Sequence, residues 1–367
     1  MATISLCMIV KDEEAVLARC LDSIRAGVDE IIIADTGSSD NTKEIAAHYT
    51  DKIYDFAWID DFSAARNFAF SKATMDFVMW LDADDVFLPE DLSAFLALKE
   101  TLTEAVDAVA LPYHTAFDEA GNPVFSFYRT RLVRRHADHF WQGRVHEALV
   151  HGGHTIYATP AVTHRSIKTG YSDRNLRIYE KQRADGERFC PRDLFYYGRE
   201  LYYHRKYGRA KEELEAFLSE GKGWSENNIE ACKILSYCYR NTGDLPAAFQ
   251  ALTRSFCYDT PRAEICCELG ALWMRLKKYQ TAVFWYELAL QIPQNETSGA
   301  FVSKDCYGYL PCIQLCVCYD KLGEHEKAEA YNRKAGIYRP SSPAYQHNLA
   351  YFAARAAAAH TQDSTGI

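Results

Sequence analysis

The sequence predicts an α/β domain with a mostly parallel sheet, followed by an all-α domain of helical repeats. Two observations carry this. Over about the first 90 residues, apolar runs of strand length alternate with amphipathic helical stretches, the pattern of βαβ units. After Asp173 the pattern is helical only, and small and aromatic residues recur there at regular intervals. The chain of 367 residues, 48% hydrophobic and 25% charged, has the size of two domains and the composition of a globular protein.

In order, Ile4–Val10 is the first predicted strand, and Glu14–Ala26 a helix with Val16, Leu17, Cys20, Leu21 and Ile24 on one face. Glu30–Ala34 is a second strand. Asp40–His48 is a helix capped by Ser38, Ser39 or Asp40. Lys52–Phe56, helix Phe62–Ala73 and strand Phe77–Leu81 follow. Ala108–Leu111 and Phe125–Val133 are further strands, with Gly121-Asn122-Pro123 turning between them. Phe140–His164 is expected to be irregular and to form the front of a pocket. Open parallel sheets bind ligands at the carboxyl ends of their strands. Three such ends are polar: Lys11-Asp12-Glu13, Asp35-Thr36-Gly37-Ser38 and Asp82-Ala83-Asp84-Asp85.

In the second half, Ala210, Ala248, Ala282 and Ala328 recur at spacings of 38, 34 and 46 residues. Small residues lie twelve positions upstream (Gly198, Ser236, Gly270, Cys316), and Leu201, Tyr239, Trp273 and Tyr319 nine upstream. Leu214, Leu252, Tyr286 and Asn332 lie four downstream. This resembles the tetratricopeptide repeat, in which paired helices pack through a small residue in each. The longer last interval fits a polar loop over Gln294–Asp305.

Composition narrows the function. Residues 1–120 hold 8 Lys+Arg against 24 Asp+Glu, a balance of −16, whereas residues 181–367 hold 24 against 22. So acidic an N-terminal stretch argues against nucleic acid, whose phosphates call for clustered cations. No apolar run is long enough for a transmembrane helix. The N-terminus lacks the basic region and cleavage site of a signal peptide. The chain is therefore expected to be cytoplasmic, with its 12 cysteines reduced and mostly in helical cores. Cys316-Val317-Cys318 lacks the spacing of a zinc site.

Three carboxylates within the four residues Asp82–Asp85 repel one another unless a cation or a set of donors offsets them. A DxD at a strand end suits Mg²⁺ or Mn²⁺, which take hard oxygen ligands. The alternative makes Asp85 the cap of a helix opening at Pro89.

Four stretches, Ile4–Glu14, Ile31–Asp40, Ser63–Asn67 and Leu81–Asp85, resemble in order and spacing the nucleotide-sugar half of a family 2 glycosyltransferase. The resemblance implies a GT-A fold, Rossmann-like, over residues 1–180. Tetratricopeptide-like repeats would cover 190–340, with a C-terminal helix and tail at 341–367. The combination resembles the bacterial peptide S-glycosyltransferases of glycocin biosynthesis. By resemblance, Val10 and Glu13 contact the nucleoside, Asp35 accepts from the base, and Arg66 lies beside the ribose and diphosphate. Asp84 would ligate the metal, with Asp82 nearer the ribose. His164 would be a further metal ligand, and Lys168, in the segment Ser166–Tyr171, would close over the diphosphate. The resemblance places the general base at His146-Glu147, with Glu147 preferred. Were Val145–Ala148 extended, the two side chains would point to opposite sides.

Each has a plain structural alternative. Arg66 would pair with Asp60 or Asp61, Glu147 with Arg144 or Arg134, and His164 and His146 would fill space in a pocket. Arg129, Arg131, Arg134, Arg135 and Arg144 would either steer an anionic donor or form a solvated strand face.

The implied function is metal-dependent, inverting transfer from a UDP-sugar (UDP-glucose or a UDP-N-acetylhexosamine). The acceptor would be a Cys, Ser or Thr side chain of a peptide or protein held by the repeats, which could also pair the chain as a homodimer. The alternatives are a transferase for a surface polysaccharide or lipid-linked glycan, and a non-catalytic nucleotide-binding scaffold.

Overall fold

A computed structural model describes residues 2–119, 121–135, 138–168, 170–294 and 302–364. It divides into two compact units. The first comprises Met1–Ala116 and Ser126–Lys206, the second Phe117–Phe125 and Tyr207–Ile367. Among the described residues no helix is long and apolar enough to cross a membrane.

The first unit opens with β1 (Ile4–Val10), α1 (Leu17–Ile24), β2 (Glu30–Asp35), α2 (Thr42–Ala47), β3 (Ile53–Asp55), α3 (Phe62–Phe70) and β4 (Phe77–Trp80). β5 (Asp85–Val86), α4 (Pro89–Thr101), β6 (Ala108–Phe117) and β7 (Pro123–Arg134) follow. The sheet order is β3-β2-β1-β4-β7-β6, then β11 (Val162–His164) and β5. β1 pairs in parallel with β2 and β4, and β7 enters antiparallel beside β4. β1 and β4 are near-continuous buried runs, as expected of strands covered on both faces. Ile4, Leu6 and Met8 pack under α1 and α4, while Cys7 packs with Ala69 of α3 on the other face.

Two local expectations are corrected. Phe140–His164 is not irregular: it holds β8 (Phe140–Gln142), β9 (Ala148–Val150), β10 (Thr155–Tyr157) and β11. β8 and β9 pair with each other, and β10 and β11 add to β6. Runs of three residues are too short to show a periodicity in sequence. The helix cap before α2 is Asn41, while Asp40 accepts from the Thr42 backbone N–H at 3.0 Å.

At the opposite edge from the polar strand ends, Glu30 is buried and accepts from Ser5, Lys52 and Thr74. Burial alone would raise its carboxyl, but these donors outweigh it and lower the pKa from 4.5 to about 2. A depressed folded pKa contributes stability above pH 4.5 that is lost as pH falls toward 2, because the unfolded chain binds the proton first. We expect Glu30→Gln to remove up to about 3 kcal/mol at neutral pH and to flatten the acid limb of the stability curve. Urea unfolding at pH 7 and pH 3 checks this; an unchanged slope between the two would refute it.

The first unit closes with α5 (Arg174–Ala184) and α6 (Pro191–Tyr203). The division after Lys206 places α6 in this unit, whereas the sequence reading began the repeats at 190. The physical reason lies on the buried side of α6, where Glu200 binds groups of the first unit.

The second unit runs through α7 (Tyr207–Glu220), α8 (Ser225–Asn241), α9 (Leu245–Arg254), α10 (Ala263–Arg275) and α11 (Tyr279–Gln291). α12 (Tyr309–Lys321), α13 (His325–Tyr338) and α14 (Pro343–Ser364) complete it. Ala210, Ala248, Ala282 and Ala328 are fully buried on the second helix of each pair, and Ser236 and Cys316 are buried on the first. Gly270 shows why the small position is needed: a Cβ there would lie 2.7 Å from the Tyr286 ring, four residues beyond Ala282. Asn332, which departs from the aromatic pattern, is fully buried and accepts from Asn348 of α14 at 3.1 Å. Of the expected loop Gln294–Asp305, residues 295–301 lie outside the described residues, as do Thr169 and the tail 365–367.

Candidate active site

The site is built on the carboxyl ends of β1, β2 and β4. At the end of β2, Asp35 is buried, and its Oδ2 accepts from the backbone N–H groups of Gly37 and Ser38, both at 3.0 Å. Gly37 turns with φ +100°, where a side chain would be strained. The other carboxylate oxygen, Oδ1, is buried without a partner, an acceptor left open for a ligand N–H. The loops after β1 and β2 are tied together: Glu13 N–H donates to Thr42 Oγ1 at 2.8 Å, and Ser39 N–H to Asp12 Oδ1 at 2.7 Å. The Val10 carbonyl accepts from the Thr36 N–H and hydroxyl at 2.9 and 3.0 Å.

The end of β4 holds the charged centre. Arg66, on α3, is 7% exposed and grips two carboxylates: Nη2 to Asp82 at 2.7 Å and Nε to Glu147 at 2.6 Å. Its guanidinium lies against both Trp80 and Trp141, at 4.7 and 4.8 Å from the ring centroids. Burial would raise the Asp82 pKa, but Arg66, Arg129 and Arg131 outweigh it and hold the carboxyl well below the usual range. Neither alternative pairing for Arg66 occurs, since Lys181 takes Asp60 and Asp61 caps α3. Nor does Glu147 pair with Arg144 or Arg134: Arg144 binds Glu187, and Arg134 binds the carbonyls of Thr103 and Val106. Arg131 is fully buried, which corrects the expectation of a solvated strand face for it.

β11 brings His164 opposite Asp85 across an antiparallel pair. The ligand atoms of Asp84, Asp85 and His164 all lie within 4.8 Å of one another. Asp82 stands outside this group, held by Arg66. Asp85 does not cap a helix; it lies in β5, fully buried, 3.0 Å from Arg131, and its Oδ1 lies 3.5 Å from His164 Nδ1. The Asp85 hydrogen bond and the nearby carboxylates raise the His164 pKa against the effect of burial. Two carboxylates offering hard oxygens, with one imidazole beside them, fit a small divalent cation.

Lys168 and Glu13, 155 residues apart, form an ion pair at 2.5 Å. Burial, with repulsion from Asp84 and Asp82, raises the Glu13 pKa despite this lysine.

Residues 145–147 are not extended. They bend between β8 and β9, with His146 at φ +50°. The bend seats Glu147 on Arg66 while His146 stacks on Tyr196 at 4.3 Å. His146 Nε2 lies 2.7 Å from Glu200 Oε1. Glu200 is fully buried and also accepts from Tyr171 Oη at 2.6 Å and Asn175 Nδ2 at 3.3 Å. In the neutral ring, an Nε2 proton directed at this carboxylate leaves the lone pair on Nδ1. Sequence reasoning missed Glu200 because it sits within a repeat-like helix. It also missed Arg174, at the start of α5, whose charge acts on Glu147, Glu13 and Asp82. A signal existed: a cation in the first turn of a helix opposes the macrodipole and calls for a reason.

Residues 5–150 match the family model described as glycosyl transferase family 2. A TPR repeat-containing protein of Synechococcus elongatus is 31% identical over 337 residues, covering 87% of this chain and 74% of that protein. The SPbeta prophage-derived glycosyltransferase SunS of Bacillus subtilis is 27% identical over 249 residues, 64% of this chain and 58% of SunS. The solved structure of YrrB, a TPR protein with an unusual peptide-binding site, is 17% identical over 48% of this chain and 82% of its own, at a TM-score of 0.37. With the family model on the α/β unit and the cyanobacterial relative spanning most of both chains, this chain belongs to the family 2 glycosyltransferases, in a branch that carries tetratricopeptide repeats.

Proposed function

We propose that this glycosyltransferase moves a sugar from a UDP-sugar to a Cys, Ser or Thr side chain of a soluble peptide or protein, with inversion and a divalent cation. The observation that carries the reading is the pairing of Arg66 with both Asp82 and Glu147 beside the Asp84–Asp85–His164 group. Arg66 thereby holds a carboxylate at the end of β4, suited to the donor, beside one from the β8–β9 bend, suited to accept a proton. The open Asp35 Oδ1 would accept from the uracil N3–H, with Glu13 and the Val10 backbone bordering the nucleoside. Asp84, Asp85 and His164 would hold Mg²⁺ or Mn²⁺, with Asp82 toward the ribose. A cation bound there supplies Lewis-acid neutralisation of charge on the leaving diphosphate. Lys168, on exchanging Glu13 for phosphate oxygens, would neutralise the same diphosphate.

Glu147 takes the proton of the acceptor nucleophile as that atom attacks the anomeric carbon; the glycosidic bond forms as the bond to UDP breaks. Arg66 occupies one of its oxygens and fixes the plane of the other. Stacked helix pairs present a continuous surface for an extended segment. A peptide acceptor is favoured by the 27% identity to SunS and by the repeats.

The test is UDP release from UDP-glucose and UDP-N-acetylglucosamine in Mn²⁺, with and without a peptide library. Transfer to a peptide side chain is expected; the absence of binding and turnover with every UDP-sugar would end the reading. Glu147→Gln should slow transfer to a hydroxyl about 10²-fold or more while UDP-sugar affinity holds. A thiol acceptor would soften the loss, since it ionises with less help. Normal rates in Glu147→Gln with a dead His146→Ala would move the base to His146.

A further inference from the structure

Three arginines surround Trp80, and one of them lacks what the other two have. Arg131, Arg129 and Arg66 place their guanidinium carbons 4.1, 4.4 and 4.7 Å from its ring centroids. Arg66 is neutralised by Asp82 and Glu147, and Arg131 by the fully buried Asp85. Arg129 is half-buried and stacks on Trp80 and on Tyr113 at 5.6 Å, and its side chain makes no hydrogen bond or ion pair with any described residue. Withdrawing a guanidinium from water without a partner costs free energy, the more so between two like charges. Burial first, and then repulsion from Arg131 and Arg66, push its pKa down, with Asp82 opposing.

Position says which ligand would repay that cost. β4 and β7 pair as far as Met79 opposite Leu132, and Arg129 lies further along β7 in the direction of the β4 end, where its charge acts on Asp82. Residues two apart on a strand share a face, and Arg129 therefore lies beside Arg131 on the Trp80 side. In the sheet order β2-β1-β4-β7, Asp35 ends β2 and Arg129 lies on β7. Arg129 thus flanks the DxD on the side away from the open Asp35 carboxylate. A donor whose base sits at Asp35 would carry its diphosphate to the DxD and its sugar toward β7.

We propose that Arg129 is a binding residue for an oxyanion of the donor: a phosphate of its diphosphate, or a carboxylate on the transferred sugar. The assignment rests on the proposed donor reading for its orientation. The forked guanidinium suits either group through two parallel hydrogen bonds, and its stacking on Trp80 holds the fork in place.

The test titrates wild type, Arg129→Met and Arg129→Lys with uridine, pyrophosphate, UDP, UDP-glucose and UDP-glucuronate in Mg²⁺ by calorimetry. Methionine keeps the apolar stem on Trp80 and removes the charge; lysine keeps the charge and removes the fork. Thermal unfolding checks that each variant is folded, and the lysine variant carries the test should the methionine one fail. If the phosphate is the ligand, Arg129→Met loses about ten- to a hundredfold in affinity for UDP and pyrophosphate and nothing for uridine. If the sugar carboxylate is the ligand, UDP affinity holds and a wild-type preference for UDP-glucuronate over UDP-glucose vanishes. Arg129→Lys should lie between in either case. Equal affinities of wild type and both variants for all five probes overturn the proposal. A wild type that binds pyrophosphate through Arg129 but no uridine or UDP would remove the donor reading and leave the oxyanion site standing.

Discussion

Asp84→Ala is expected to abolish turnover and to weaken UDP-sugar binding in the presence of Mn²⁺, with little change in fold. Asp84 is part of the tight group with Asp85 and His164, yet it is not the member that carries the local structure. Asp85 is, since it is fully buried against Arg131 and its Oδ2 accepts from the Asp82 N–H at 3.1 Å. Asp84 contributes to the fold through its backbone carbonyl, which accepts from Arg165 N–H at 2.8 Å and survives the substitution. Removing its carboxylate also removes a repulsive neighbour of Glu13, so uridine binding should persist. The measurement is UDP release with Mn²⁺ and with excess EDTA, beside UDP affinity under both conditions. A wild type fully active in EDTA, or an active Asp84→Ala, would sink the metal assignment.

Arg66→Met should cost both stability and activity. Methionine keeps an apolar stem against Trp80 and Trp141 but leaves Asp82 and Glu147 without their cation. Glu147 is 10% exposed, so its charge cannot be handed to water. Breaking one side of a buried pair costs about 3–5 kcal/mol. Urea unfolding and transfer rates check both effects. The double variant with Glu147→Gln should regain part of the stability and none of the activity. Should Arg66→Met be as stable and active as wild type, the guanidinium is not the organiser of this site.

Several residues of the candidate site were legible as candidates without coordinates. Asp35, Asp82 and Asp84 stand at the ends of buried β-branched or aromatic runs, where a carboxylate has no place in a core. Arg66 was legible as a residue but not in its partners. Sequence offered the nearby Asp60 and Asp61, whereas the structure pairs it with Glu147, 81 residues away. The sequence left Asp85 open between the carboxylate cluster and a helix cap, because β5, two residues long, has no periodicity of its own.

What the sequence determined by itself is what short-range periodicity encodes: the strands that bury both faces, the polar ends of β1, β2 and β4, and the helix pairs closed by Ala210, Ala248, Ala282 and Ala328. Alternation and 3.6-residue spacing are properties of neighbouring residues, so they survive in one dimension. The tertiary structure alone decided which charges meet. His164 reaches Asp84 and Asp85 only because β11 pairs with β5, and His146 reaches Glu200 across 54 residues. It also left Arg129 without the carboxylate that Arg66 and Arg131 each have. An ion pair depends on separation in space and on the water excluded around it, and neither quantity is written in the spacing of residues along the chain.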